Sequence, residues 1–205
     1  MRDFYWGTKE EQPPEGEGVS PHDFASETRG HASEDFNVVD FSHNRIYFYS
    51  GVTRPKILKL NKGIFNLNTT MLAKSGPLEY TPPPIKLHIN SYGGSVFAGL
   101  SAVDYIKNSK VPVHTIIDGC AASAATLMSC VAERRYMHRN SCMLIHQLSG
   151  LMWGKFHEMK DDMQNSEMLM DKIKNIYKQH TKIPKRELDN LLKHDLWWEA
   201  EKCLE

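Results

Sequence analysis

One serine in this chain stands in a setting suited to nucleophilic chemistry. Ser123 lies in IDGCAASAATLMSC (Ile117–Cys130), with Ala121, Ala122, Ala124 and Ala125 around it. A serine hydroxyl is a weak nucleophile at neutral pH and needs a base. The base, usually histidine, needs a partner that holds its tautomer and stabilises the imidazolium. A tetrahedral oxyanion needs preorganised N–H donors, each worth about 2.7–4 kcal/mol of barrier. Every requirement has a candidate. His146 ends the apolar run Cys142–Ile145 and precedes Gln147. Asp195 stands between His194 and a Trp-rich segment. Gly93 and Gly94 follow a strand pattern directly, and glycine lets a backbone N–H approach closely. Each also has a purely structural reading. Ser123 fits a small-residue helix packed tightly on a sheet, and Gly93–Gly94 fits a plain turn. His146 is one of ten histidines, and Asp195 fits a helix N-cap ahead of WWEAE. The GGS turn is no phosphate loop, because it lacks both GxGxxG spacing and a Walker lysine.

The elements that must carry these groups alternate between strand and helix. NRIYFYSG (Asn44–Gly51) reads as a strand ended by glycine. Residues from about Thr53 to Lys74 have helical spacing weakened by Gly63, and SGPLEYTPPP (Ser75–Pro84) reads as a loop. Ile85–Asn90 predicts a strand, Val96–Asn108 a helix, Val111–Ile117 a strand and Ala121–Ala132 a helix whose first turn holds Ser123. Free N–H groups and the positive end of the helix dipole favour anionic charge there. RYMH and SCMLIHQ predict short strands. Lys155–His180 predicts a long amphipathic helix with Phe156, Met159, Met163, Met170, Ile173, Ile176 and Tyr177 on one side. Pro184 opens another helix. The pattern predicts an α/β fold with βαβ-type crossovers.

The chain has 205 residues, enough for one domain with a sizeable core. Its formal net charge is zero, which gives no support to nucleic-acid binding. No apolar run is long enough for a membrane span, and no signal-peptide core opens the chain. Cys120, Cys130, Cys142 and Cys203 show no metal-binding spacing and read as free thiols. These features point to the cytosol. The charge is uneven, with nine Asp/Glu and three Lys/Arg in residues 1–35. Rich in proline, glycine and acid, that stretch reads as a flexible acidic tail ahead of a domain over residues 36–205.

The combination INSYGGSVFAGLSAVDYI, IDGCAASAATLM, RYMHRNSCMLIHQLSG and HDLWWEAEKCLE closely resembles the Clp protease proteolytic subunit family, ClpP, from about Arg45 to Glu205. The resemblance implies a crotonase-like ββα superhelix (the ClpP fold) with a protruding helical handle at about residues 147–180. It implies Ser123 as nucleophile, His146 as general base, Asp195 as orienting carboxylate, and the N–H groups of Gly94 and Ala124 as the oxyanion hole. Gly93, Ser95, Gln147, Leu148, Ser149 and Gly150 are the implied substrate-binding positions, in part on a strand over 147–154 that pairs across rings. No cofactor or metal is implied. The implied partners are further copies or paralogues in heptameric rings stacked as a tetradecamer, an AAA+ unfoldase and peptide substrates, with neither nucleic acid nor membrane. The expected setting is the cytoplasm, with an organellar stroma or matrix, or a host cytosol for a virus-borne protein, left open by the departures below.

Four features depart from the family pattern. Ala124 replaces the usual Met after the nucleophile, which keeps the N–H and widens the nearby pocket. Lys86 and His88 stand where the family commonly carries aromatic unfoldase-docking side chains, so a different partner or weaker docking is expected. The sequence stops inside an expected helix where relatives continue with a glycine turn and a last strand, as in a naturally short or trimmed chain. The acidic head differs from the family's short axial loops. Two other functions compete with a peptidase: a non-catalytic structural or regulatory ring subunit, and a crotonase-type acyl-CoA enzyme, which would need no Ser–His–Asp set.

Overall fold

The computed structural model describes residues 38–204, so the acidic tail at 1–35 lies outside the described residues. Strand alternation organises the centre. In β3 (Ile85–Ser91), Ile85, Leu87 and Ile89 are fully buried while Lys86, His88 and Asn90 face the other way. β2 (Arg45–Tyr49) does the same with Ile46 and Phe48. β2, β3 and β4 (Val113–Ala122) run parallel, as they must when joined by helical crossovers. Those crossovers are α1 (Arg54–Leu78) and α2 (Val96–Lys107), and α3 (Ala124–Cys130) follows β4. Their apolar sides join the buried strand faces in one core that contains Leu60, Ile64, Ala102, Ile106, Leu127 and Met128.

The far edge of β4 is shared. β5 (Arg134–Met137) pairs with residues 114–117, and β6 (Cys142–Leu144) pairs with 120–122. β7 (Trp197–Glu199) closes that edge antiparallel to β6, and β1 (Val38–Ser42) closes the other antiparallel to β2. The handle helix α4 (Phe156–His180) docks only by its second half, burying Leu169, Ile173 and Tyr177. Phe156, Met159, Met163 and Met168 remain exposed on the projecting half. α5 (Lys185–Leu191) and α6 (Ala200–Leu204) complete the chain described.

Several local expectations are corrected. The loop expected from Ser75 begins only at Glu79, because Pro77 sits in the last turn of α1, where its missing N–H costs a single bond. Glu79 then ends the helix in a left-handed conformation, φ 50°, closed by backbone bonds to Gly76 and Ser75. Gly63 does not merely weaken α1: a Cβ there would meet the Phe41 ring at 2.0 Å, so its absence makes room for β1, a strand the sequence did not reveal. β4 runs five residues further than expected, past Gly119, whose bare backbone accommodates the Asn90 side chain. Ser123 is the N-cap of α3 rather than a residue of its first turn. Asp195 caps no helix, since the Trp segment after it forms β7. Residues 147–153 form no strand in the single chain. A strand needs a facing edge, and here the Gln147 N–H donates to the Leu192 carbonyl (2.8 Å) and the Leu148 N–H to Met170 Sδ (3.1 Å).

Candidate active site

β4 ends in Ala121–Ala122, and the chain must turn sharply to enter α3. Ser123 makes that turn at φ 59° and ψ −129°, a conformation that side chains rarely adopt. Such strain persists only where the surroundings over-determine it, and they do so here. The Ser123 N–H donates to the Leu144 carbonyl at 2.9 Å. Its own carbonyl accepts the Thr126 N–H (3.0 Å) and the Thr126 hydroxyl (2.6 Å). Ser123 is 2% exposed, and its Oγ has no hydrogen-bond partner among the described residues.

The glycine turn presses directly on this serine. At Gly93, φ is +94°, and a Cβ would lie 2.6 Å from Ser123 Cβ, 2.7 Å from the Ala122 carbonyl oxygen and 3.1 Å from the Ala124 nitrogen. Gly94 has φ +143°, and a Cβ there would lie 2.5 Å from the Val52 carbonyl oxygen. Val52 straps the turn: its N–H donates to the Gly93 carbonyl (2.7 Å) and its carbonyl accepts the Ser95 N–H (2.8 Å). Neither bond of that bridge uses the Gly94 N–H. Ser95 is buried and N-caps α2 by accepting the Ala98 N–H. The Ala124 N–H, at the start of α3, has no carbonyl four residues back to bond within its helix. Gly99 of α2 approaches Ala124 so closely that a Cβ on it would stand 3.2 Å from the alanine's.

His146 follows β6, two residues after the carbonyl that holds Ser123. Its Nδ1 lies 3.0 Å from Asp195 Oδ1. The imidazole is mostly buried and the carboxylate half-exposed, at 15% and 44%. The Gln147–Leu192 bond ties the strand end to the end of α5, three residues before Asp195. The carboxylate thereby fixes the orientation of the imidazole through Nδ1. The fold therefore brings His146 and Asp195 together and places Gly93 against Ser123 and Ala124, while the Ser123 hydroxyl makes no hydrogen bond to the imidazole. Of the remaining candidates, Gln147, Ser149 and Gly150 are exposed and Leu148 is half-buried against the core.

Sequence reasoning missed four contributors. Thr126 and Tyr177 buttress Ser123 from behind, their hydroxyls 2.6 Å apart. Tyr92 and Trp197 meet edge to face at 6.4 Å. Tyr92 adjoins Gly93, and Trp197 pairs with Leu144, whose carbonyl holds the Ser123 N–H. Tyr92 alone gave a signal, as an aromatic residue inside a glycine turn. A cavity of about 710 Å³ between β5, β6 and α6 is lined by Cys130, Met143, Trp198 and Cys203, and by none of Ser123, His146 or Asp195.

A parallel sheet with ββα crossovers, a strained serine at a strand–helix junction and a projecting helix defines a known class of fold. A solved mutant ClpP1 from Listeria monocytogenes shares it, with a TM-score of 0.67, 22% identity and coverage of 78% of this chain and 85% of that one. The fold is thus the crotonase-like ClpP superhelix with its handle. The Clp protease family model matches residues 71–205, and the chain belongs to that family. Among similar proteins, ATP-dependent Clp protease proteolytic subunit 1 of Chlamydia caviae is 34% identical over 132 residues, covering 62% of this chain and 68% of the relative. The subunit of the same name from Protochlamydia amoebophila is 35% identical over 62% of this chain and 65% of its own length. That from Chlamydia muridarum is 29% identical over 78% and 81%.

Proposed function

We propose that this chain is the peptide-cleaving subunit of a Clp-type protease and acts through Ser123, His146 and Asp195. The observation that carries the proposal is the His146–Asp195 pair at 3.0 Å, tethered through Leu144 to a buried, strained serine. In the proposed cycle Ser123 Oγ attacks the scissile carbonyl carbon and its proton passes to His146 Nε2. The oxyanion is received by the N–H groups of Gly94 and Ala124. The intermediate collapses, the amine leaves with the proton from Nε2, and the acyl group stays on Oγ. Water then attacks the ester carbonyl, losing a proton to His146, and the second intermediate collapses with cleavage of the bond to Oγ, which takes that proton back from Nε2 as the acid leaves. Asp195 keeps Nδ1 protonated and steadies the imidazolium throughout.

An extended peptide would lie along Gln147, Leu148, Ser149 and Gly150 beside Gly93 and Ser95. Main-chain pairing there would make sequence preference broad. Residues 147–153 lack a facing edge in the single chain, so a second copy across stacked heptameric rings is the proposed source of that edge. An AAA+ unfoldase would deliver folded substrates. Its docking would be weak or altered, because His88 is engaged by Asp118 at 2.9 Å instead of offering an apolar anchor.

The test is fluorophosphonate labelling with the adduct mapped by mass spectrometry, read beside native mass. Labelling at Ser123 in the assembled form, absent in Ser123→Ala and strongly reduced in His146→Ala, is expected. An assembled ring that takes no label at Ser123 would instead identify a structural or regulatory subunit.

A further inference from the structure

The outer face of the sheet carries an ordered row of basic residues. Arg45 of β2 is in register with Lys86 of β3, Lys86 with His114 of β4, and His114 with Arg134 of β5. Register partners on neighbouring parallel strands point to the same face, about 4.8 Å apart. Their neighbours Ile46, Leu87 and Thr115 are buried on the opposite face, so the four side chains form one stripe about 14 Å long on the solvent side. Arg45, Lys86 and Arg134 make no ion pair among the described residues. The acids near the stripe leave it positive. Glu133 acts on His114, Asp40 stands at the β1 edge opposite Tyr47, and Asp118 is occupied by His88, Tyr49 and His138.

Three like charges held in a row with no ion-pair partner among the described residues invite an acidic partner, and the chain supplies one. Residues 1–35 hold nine Asp/Glu against three Lys/Arg, while residues 36–205 hold sixteen against twenty-two. The segment joins the sheet at Val38, opposite Tyr49 and four residues along β2 from Arg45. The stripe is therefore about 13 Å along the strands and at most about 19 Å across them from that entry point. Seven extended residues span about 23 Å, so every acid from Glu10 to Glu27 is on a tether long enough to reach it.

We infer that the acidic segment ahead of β1 docks on the Arg45–Lys86–His114–Arg134 row of its own chain. The inference is independent of the catalytic reading and stands whether or not Ser123 is reactive.

Zero-length carbodiimide crosslinking of the full chain tests this, because it joins carboxylates to amines only in direct contact. The expected product links Lys86 to a carboxylate between Glu10 and Glu27. It should be lost in 1 M salt, where the screening length is about 3 Å. It should also be lost in Arg45→Glu/Arg134→Glu, and in Glu10→Gln/Glu11→Gln/Glu15→Gln/Glu17→Gln/Asp23→Asn/Glu27→Gln, whose changes all lie ahead of β1. Mixing heavy- and light-isotope chains identifies the donor. Absence of the crosslink at low salt, its persistence in both charge variants, or heavy-to-light products making up about half of the yield from an equal mixture, as random pairing between chains requires, would each overturn the assignment.

Discussion

The hydroxyls of Tyr177 and Thr126 lie 2.6 Å apart, and the Thr126 hydroxyl lies 2.6 Å from the carbonyl oxygen of Ser123. Thr126 has one hydroxyl proton and spends it on the carbonyl, so Tyr177 must donate to Thr126. The handle helix is thereby coupled through a fully buried phenol to the backbone of the strained serine. Removing the phenol hydroxyl in Tyr177→Phe leaves Thr126 short of a partner and should cost about 1–3 kcal/mol in urea unfolding. The fluorophosphonate labelling rate should fall with it. Thr126→Val should behave similarly, and the double variant should lose less than the sum of the two. Strict additivity would sever the coupling.

Gly93→Ala places a methyl group 2.6 Å from Ser123 Cβ at a φ of +94°. Both strain and clash oppose it, so a loss of at least about 2 kcal/mol in stability is expected. Labelling at Ser123 should be abolished. A variant that folds and labels like the parent would show that the turn does not abut the serine.

Ser123 holds a left-handed φ and a buried hydroxyl without a partner among the described residues. Both features cost stability. Ser123→Ala removes the unsatisfied hydroxyl, and Ser123→Gly removes the strain as well. Melting temperatures should therefore rise in the order parent, Ala, Gly, with about 1–2 kcal/mol separating the extremes. Lower melting temperatures in both variants would mean that the site is not strained.

Burial and the hydrogen bond to Asp118 push the Tyr49 phenol up to about 12. In the folded protein Tyr49 keeps its proton in the window where an unfolded tyrosine, near 10, has lost it. The unfolded state then binds fewer protons, so this contribution to stability is complete below about pH 10 and is lost as pH rises towards about 12. Ultraviolet titration should show one tyrosine ionising late, and Asp118→Asn should return it towards the others. An unchanged late step in that variant would remove Asp118 as a cause.

Much of the fold was legible because its signals are local. Ile85, Leu87 and Ile89 alternate with polar neighbours, and the apolar residues of Lys155–His180 recur at helical spacing. Each pattern names its element before any packing is known. The errors fell where a long-range contact overruled local preference. Gly63 reads as a weak point in a helix until Phe41, far away in sequence, is seen filling its place. β1 was missed because an edge strand exposed on one side carries little alternation, and Phe41 itself is 38% exposed.

The sequence alone determined which residue types were at hand for chemistry, which elements would carry them and which family they resemble, since composition and short-range periodicity are written in neighbouring residues. Only the tertiary structure decided that His146 meets Asp195, that Gly93 lies against Ser123 and that Arg45, Lys86, His114 and Arg134 share one row. Each of those relations joins positions tens of residues apart, and a sheet's register and a crossover's packing, not local preference, set the distances across that gap.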